Sequence, residues 1–235
     1  MRYWTKTTEK MLQQPAESRK NAILKEGFEV SLASVSKVLR SLEEDLLVRR
    51  RNSSIAVPEP GRLLLAWAQK YKERYRWNLR SSYKCPNPFG LDLRKVTMAL
   101  DEFLRPQRFA FTGPAAAFLI ASFLELETID VFTLEREKIG GDLRRVLTAA
   151  DWRALSEEGA GGNVGELKSE TGTGPDLRII YPYDPGVFMY GRRIEGIPVV
   201  SDIQAFLDLF AKGDRELKQA EYLLEEAIEP RWEKM

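Results

Sequence analysis

Two groups of side chains in this 235-residue chain could do chemistry together: Ser34, Ser36, Lys37 and Arg40, then Arg49, Arg50, Arg51 and Asn52. Short hydroxyls and long cations donate to phosphate oxygens and to the acceptor edges of bases, so the chemistry they suit is contact with a nucleic-acid groove. Bond-breaking chemistry has fewer candidates. The chain has no histidine, which excludes Cys/His zinc sites, Ser-His-Asp triads and imidazole acid-base work together. Its one cysteine, Cys85, excludes an internal disulfide, and no base stands near it in Lys84-Cys-Pro-Asn-Pro to activate the thiol. Asp130 is a lone acid downstream of Thr112-Gly113. Arg192 and Arg193 beside Tyr190 suit an acidic partner or an exposed hairpin charge pair, and Ser201, Asp202 and Gln204 suit a helix cap and its packing.

The elements that position the first two groups are legible in the spacing. Ser31 is an N-cap, and Val35, Val38, Leu39 and Leu42 repeat at helical spacing, a stripe expected to face a core. Leu46 to Arg51 then reads as a strand, Asn52 to Ser54 as a polar turn and Ile55 to Val57 as the return strand, with the cations near the tip. With Ala16 to Glu26 as a preceding helix and Gly27 to Val30 as a turn, the order resembles a winged helix-turn-helix. A serine-rich helix and a cationic hairpin also make a plain solvated surface; the order of the pieces and the charge favour nucleic acid.

The formal net charge of +1 hides an asymmetry. Residues 1 to 84 carry 18 Lys+Arg against 9 Asp+Glu, a balance of +9, and residues 85 to 235 carry 18 against 26, a balance of −8. Such a division points to a basic front that meets phosphate and an acidic back that avoids it. No run reaches the apolar length of a membrane span, and Met1-Arg-Tyr-Trp-Thr-Lys lacks the apolar segment of a signal peptide, so a cytoplasmic location without membrane contact is expected.

In chain order, residues 3 to 13 suit a first helix limited by Pro15. Pro58-Glu-Pro-Gly61 ends the hairpin and launches a connector helix with Leu63, Leu64, Trp67, Ala68, Tyr71 and Tyr75 on one side and Arg62, Lys70, Lys72, Arg74 and Arg76 on the other. Lys84 to Gly90 reads as an inter-domain turn. Helices are expected at Asp92–Leu104, Pro114–Leu124, Val199–Leu209 and Arg215–Ile228, and strands at Arg108–Thr112, Thr128–Leu134, Asp176–Tyr181 and Gly186–Tyr190, with a loop over much of Gly159–Gly174. The expected class is α+β: a winged helix-turn-helix over 1–61, a connector helix over 62–84, and a mixed α/β domain over 85–235.

Three stretches carry a family resemblance: Leu63-Leu-Leu-Ala-Trp-Ala-Gln-Lys-Tyr71, Phe111-Thr-Gly-Pro-Ala-Ala-Ala117, and Pro198-Val-Val-Ser-Asp-Ile-Gln-Ala-Phe-Leu-Asp-Leu209 followed by Gln219-Ala-Glu-Tyr-Leu223. They resemble the AbiEi-type antitoxins, transcriptional regulators of type IV toxin-antitoxin systems. The resemblance covers most of the chain from the winged helix onward, apart from Arg136 to Gly174. It implies a regulator that binds double-stranded DNA upstream of its own operon, and a C-terminal antitoxin domain paired functionally with a nucleotidyltransferase toxin. Dimerisation is expected because single winged helices bind weakly, and no cofactor is expected.

Two other classes stand beside this one. A protein-interaction module could use the same winged helix and dock a toxin or another enzyme through the acidic domain. A nucleotidyltransferase is the third: Thr112-Gly113 opening a helix, with Asp130 on the next strand, resembles the start of that fold, so the C-terminal domain could be a degenerate scaffold of this type. The sequence departs from it at Pro114, which removes an amide donor, and at Asp130, which has no second acid at alternate spacing to hold magnesium. The expectation is therefore a non-enzyme with Asp130 as a solvated acid at a strand edge.

Overall fold

The computed structural model describes residues 31–51, 54–80, 82–85, 87, 89–104, 108–134, 175–182 and 184–233. The helices expected at 3–13 and 16–26, the turn at 27–30, Asn52 and the region 136–174 lie outside the described residues. The protein is mixed α+β with two sheets, and backbone contacts divide it into two compact units: Met1–Tyr71 with Leu224–Met235, and Lys72–Leu223.

The first unit holds helix α1 (Leu32–Glu44) and a hairpin of β1 (Arg49–Arg51) and β2 (Ser54–Ala56). Ser31 caps α1 as expected, its hydroxyl accepting from the Ser34 amide at 3.1 Å. The helix closes with paired bonds, Leu46 N to Glu43 O at 3.0 Å and Leu47 N to Leu42 O at 2.9 Å, which turn the chain at Leu46 with φ of 58°. That left-handed exit shortens the strand expected from Leu46 to Arg51. Ser54, expected in the turn, pairs with Arg51 as the first residue of β2. The apolar stripe of α1 divides: Val35, Leu39 and Leu42 are half-buried, but Val38 is 58% exposed. At about 100° per residue the other three cluster within about 60°, and Val38 stands about 70° off their centre.

Helix α2 (Pro60–Arg80) begins where Pro58-Glu-Pro-Gly61 predicted, with Leu63 N donating to Glu59 O at 3.1 Å and Pro60 at the first helical position, where no amide is needed. The boundary between the units falls inside α2. Leu64 and Ala68 are buried with Leu47, Val48, Ile55 and Ile228 in the first unit, while Leu65 and Trp67 are exposed.

The second unit is built on a six-stranded sheet in the order β3-β6-β5-β4-β8-β7. Its strands are β3 (Ser82–Cys85), β4 (Phe109–Thr112), β5 (Thr128–Thr133), β6 (Asp176–Ile180), β7 (Arg192–Ile194) and β8 (Ile197–Val199). β5–β6 and β4–β8 are parallel pairs and the rest antiparallel. Helices α3 (Leu93–Leu104), α4 (Gly113–Ile120), α5 (Asp202–Lys212) and α6 (Asp214–Leu223) cover it: α4, α5 and α6 pack on one another, α4 and α5 against the sheet, and α3 against β8. Every residue of β4 is buried, as is β5 from Ile129 onward, which is the signature of strands covered on both faces.

Several boundaries differ from expectation for local reasons. Lys84 and Cys85 belong to β3 rather than to a turn; the turn follows, where the buried Asn87 amide donates to Gly90 O at 2.6 Å and Pro175 O at 3.1 Å. α4 ends at Ile120 rather than Leu124. Gly186 to Tyr190, expected as a strand, holds a single 3-10 turn at Pro185–Phe188, because Asp184 caps Gly186 at 2.7 Å and Pro185 starts the turn. The true hairpin is β7–β8, which reverses at Glu195 (φ 49°) and Gly196 (φ 86°); a glutamate where such turns prefer Asn or Asp concealed it. Val199 is strand, and α5 starts only after the Ser201 cap, whose hydroxyl accepts from Gln204 N at 3.1 Å. The last expected helix is interrupted by a π turn at Leu224–Ile228 before α7 (Glu229–Glu233), at the boundary between the units. Leu217 and Leu224, apolar residues of this stretch, are half-buried.

Candidate nucleic-acid interface and a buried charge row

On α1, Ser34, Ser36, Lys37 and Arg40 are all exposed. Ser36, Lys37 and Arg40 fall within about 100° of arc, on the side away from Val35, Leu39 and Leu42. Ser34 lies about 60° outside this arc, where its hydroxyl meets that of Ser31 at 2.9 Å, so it takes part in the cap. The hairpin sorts its arginines by register. Arg50 stands opposite Ile55, which is buried, and Arg49 opposite Ala56, which is exposed. Directly opposed residues share a face. Arg50 therefore lies on the face that turns toward the core, and its guanidinium pairs with Glu43 of α1 at 3.1 Å. Arg49 projects from the other face and is exposed. Arg51 is placed by its backbone register opposite Ser54. The arrangement offers Lys37, Arg40 and Arg49 as exposed cations on a capped helix and a braced hairpin.

The second unit holds a feature the spacing of the sequence did not suggest. Thr112 of β4, Asp130 of β5 and Arg178 of β6 are register partners in one row across three strands. A matching polar stripe runs down α5 at Gln204, Asp208 and Lys212, spaced four residues apart so that all three face the sheet. Gln204 donates to Asp208 at 3.1 Å, and Thr112 donates its hydroxyl to the same carboxylate oxygen, which is why it provides no side-chain cap for α4. Asp130 accepts from Arg178 at 2.9 and 2.6 Å and from Lys212 at 2.6 Å. Asp130 is fully buried, and the two cations are only 14% and 11% exposed.

Asp130 is therefore not the solvated edge acid expected: β5 is an interior strand, and the carboxylate is closed in by α5 and the adjacent β6. Gly113 makes room for it. Its φ is 52°, and a Cβ there would stand 3.3 Å from an Asp130 oxygen. The electrostatics follow. Burial lowers the proton affinity of Arg178, but its hydrogen bonds and attraction to Asp130 outweigh this and hold it above its ordinary range. Tyr75 of α2, buried in the same unit, is pushed well above its usual value first by burial and then by the carboxylates of Asp208 and Asp130, with Arg178 opposing.

Among the remaining candidates, Arg192 pairs with Asp202, a buried acid at the start of α5, and Arg193 donates to Gly196 O across the hairpin turn. Asp202 and Gln204 thus hold polar partners as well as packing positions. The signal that could have exposed the charge row is Gln204, Asp208 and Lys212 at four-residue steps in a helix that is apolar at every other position after Asp202. Among the described residues no group of three or more acidic, cysteine or histidine side chains could hold a metal ion, and no helix is long and apolar enough to cross a membrane. Comparison with known protein families, with curated proteins and with solved structures gives no match.

Proposed function

We propose that this protein is a DNA-binding transcriptional regulator, the antitoxin of a type IV toxin-antitoxin system that represses its own operon through an N-terminal winged helix. The observation that carries the reading is the capped helix followed by a basic hairpin, with Lys37, Arg40 and Arg49 all exposed. The +9 balance of residues 1 to 84 supports it. In this reading Ser36, Lys37 and Arg40 inspect the major groove with Ser34 beside them, while Arg49, Arg50, Arg51 and Asn52 meet the backbone or minor groove and release counterions. The partner is double-stranded DNA upstream of the operon, the assembly a homodimer, and the toxin a nucleotidyltransferase acting separately.

No catalytic step belongs to this role. A two-metal transferase needs paired carboxylates free to hold magnesium. Here the register neighbour of Asp130 on β6 is Arg178, and the charge of Asp130 is already met by Arg178 and Lys212. A second reading, a module that docks another protein, is favoured by the exposure of Leu32, Val38 and Leu46 around α1.

Fluorescence anisotropy on the upstream duplex and on a scrambled one, at several salt concentrations, tests both. Preference for the upstream DNA with a steep salt dependence is the expected result. Arg49→Ala should weaken binding to both duplexes and lower the salt slope by about 1, and Lys37→Ala or Arg40→Ala should reduce the preference. The Arg50→Ala/Arg51→Ala variant should lower the slope as well. Absence of binding at low salt would leave the docking module.

A further inference from the structure

The loop joining α4 to β5 presents an aromatic side chain outward on a braced support. Phe123 is 51% exposed, and its ring stacks on Tyr222 of α6 with centroids 4.6 Å apart and planes 19° from parallel. An exposed phenylalanine on a loose loop would carry little meaning, but this loop is held at both ends by one buried side chain. The Gln219 amide donates to Ala121 O at 2.9 Å and accepts from Leu124 N at 2.9 Å, so both of its polar atoms are spent on fixing residues 121 to 124. Arg215 adds a bond to Glu125 O at 3.4 Å and an ion pair with Glu127. Leu126 is buried and anchors the loop beneath.

Beside the stacked rings lies a cleft that shares Leu124 and Gln219 with this loop and is lined by Glu125, Glu127 and Glu216 against the single cation Arg215. The surface therefore combines a flat apolar face with an excess of carboxylates. Among the residues that line the cleft three carboxylates stand against one guanidinium, so the local field repels nucleic acid and anionic lipid and attracts cations. A planar guanidinium meets both requirements at once: it stacks on an aromatic face and pairs with carboxylates, and it is less strongly hydrated than an ammonium.

We propose that the Phe123–Tyr222 stack and the Glu125, Glu127, Glu216 cleft form a docking site for an arginine-bearing cationic segment of a partner protein. One arginine seats on the rings while a neighbouring cation pairs with the carboxylates at the rim of the cleft. The proposal does not rest on the DNA reading, since it uses only residues of the second unit, and either can fail without the other.

The test uses the full chain and fluorescein-labelled peptides of equal length, in which serine alternates with arginine, with lysine or with glutamine. Anisotropy should show the arginine peptide binding at least fivefold more tightly than the lysine peptide, with no binding of the glutamine peptide. Phe123→Ala should weaken the arginine peptide at least fivefold and erase its advantage over lysine. Glu125→Gln, which leaves the backbone clamp untouched, should weaken both cationic peptides. Equal affinity for arginine and lysine, or unchanged binding in Phe123→Ala, would overturn the assignment. Sedimentation of the peptide-free protein covers the remaining occupant: self-association lost in Phe123→Ala would make the site an interface with a second copy and would also overturn it.

Discussion

Asp130 shows how a single residue acquires its meaning from its neighbours. A buried carboxylate is costly to leave unpaired, and here two cations from different elements, Arg178 on β6 and Lys212 at the end of α5, meet it. Replacing it leaves both cations facing a neutral group. Asp130→Asn should lower the unfolding free energy of the second unit by about 3–5 kcal/mol. Urea denaturation followed by circular dichroism reads the change, and a loss under about 1 kcal/mol would mean that water reaches the row and screens it. Gly113 belongs to the same argument, since its left-handed backbone and the nearby Asp130 oxygen leave no comfortable place for a side chain.

At the scale of elements, the end of α1 carries a correctable strain. Leu46 occupies the left-handed position that closes the helix, a place glycine fills without a clash between Cβ and the backbone. Leu46 is also 70% exposed, so little packing is lost with its side chain. Leu46→Gly should stabilise the first unit by about 0.5–1 kcal/mol after the greater freedom of glycine in the unfolded chain is counted. A lower thermal midpoint in the variant would show that Leu46 contributes contacts that outweigh the strain. The hairpin and α1 brace each other through Arg50 and Glu43, an exposed pair whose direct contribution is small. Its consequence is positional: the pair holds Arg50 toward the helix and leaves Arg49 free to meet solvent or phosphate. On α5, the polar stripe of Gln204, Asp208 and Lys212 makes the helix specific to one rotation, because any other would bury these groups without partners.

For the whole molecule, the chain leaves the first unit within α2 and returns to it at the π turn after α6. Tyr75 lies in the α2 segment that belongs to the second unit, and its raised pKa makes stability depend on alkali. Below about pH 10 the phenol is neutral in both states and contributes its full share. Above that, the unfolded chain ionises first and binds fewer protons than the folded one, so stability falls as pH rises toward the folded pKa. Urea midpoints at about pH 9 and about pH 11 should therefore separate more for the wild type than for Tyr75→Phe. Equal separations would show that Tyr75 does not couple to alkaline unfolding.

What the sequence determined by itself was whatever rests on neighbours along the chain. The Ser31 and Ser201 caps, the Pro60 helix start, α3 and the central strands β4, β5 and β6 are set by local hydrogen bonding and by apolar runs, and the +9 and −8 halves follow from counting. Only the tertiary structure decided which side chains face each other across the fold. Arg50 stands near the hairpin tip as read, but register, which leaves no trace in the sequence, set its guanidinium toward Glu43. Asp130 was read as a solvated acid, but β6 and α5 enclosed it, bringing together residues 48 and 82 positions away in the chain. The clamp of Gln219 on the Phe123 loop spans 95 and 98 positions. Contacts at such separations leave no period in the sequence, because they are selected by sheet order and helix rotation, and these form only when the core closes.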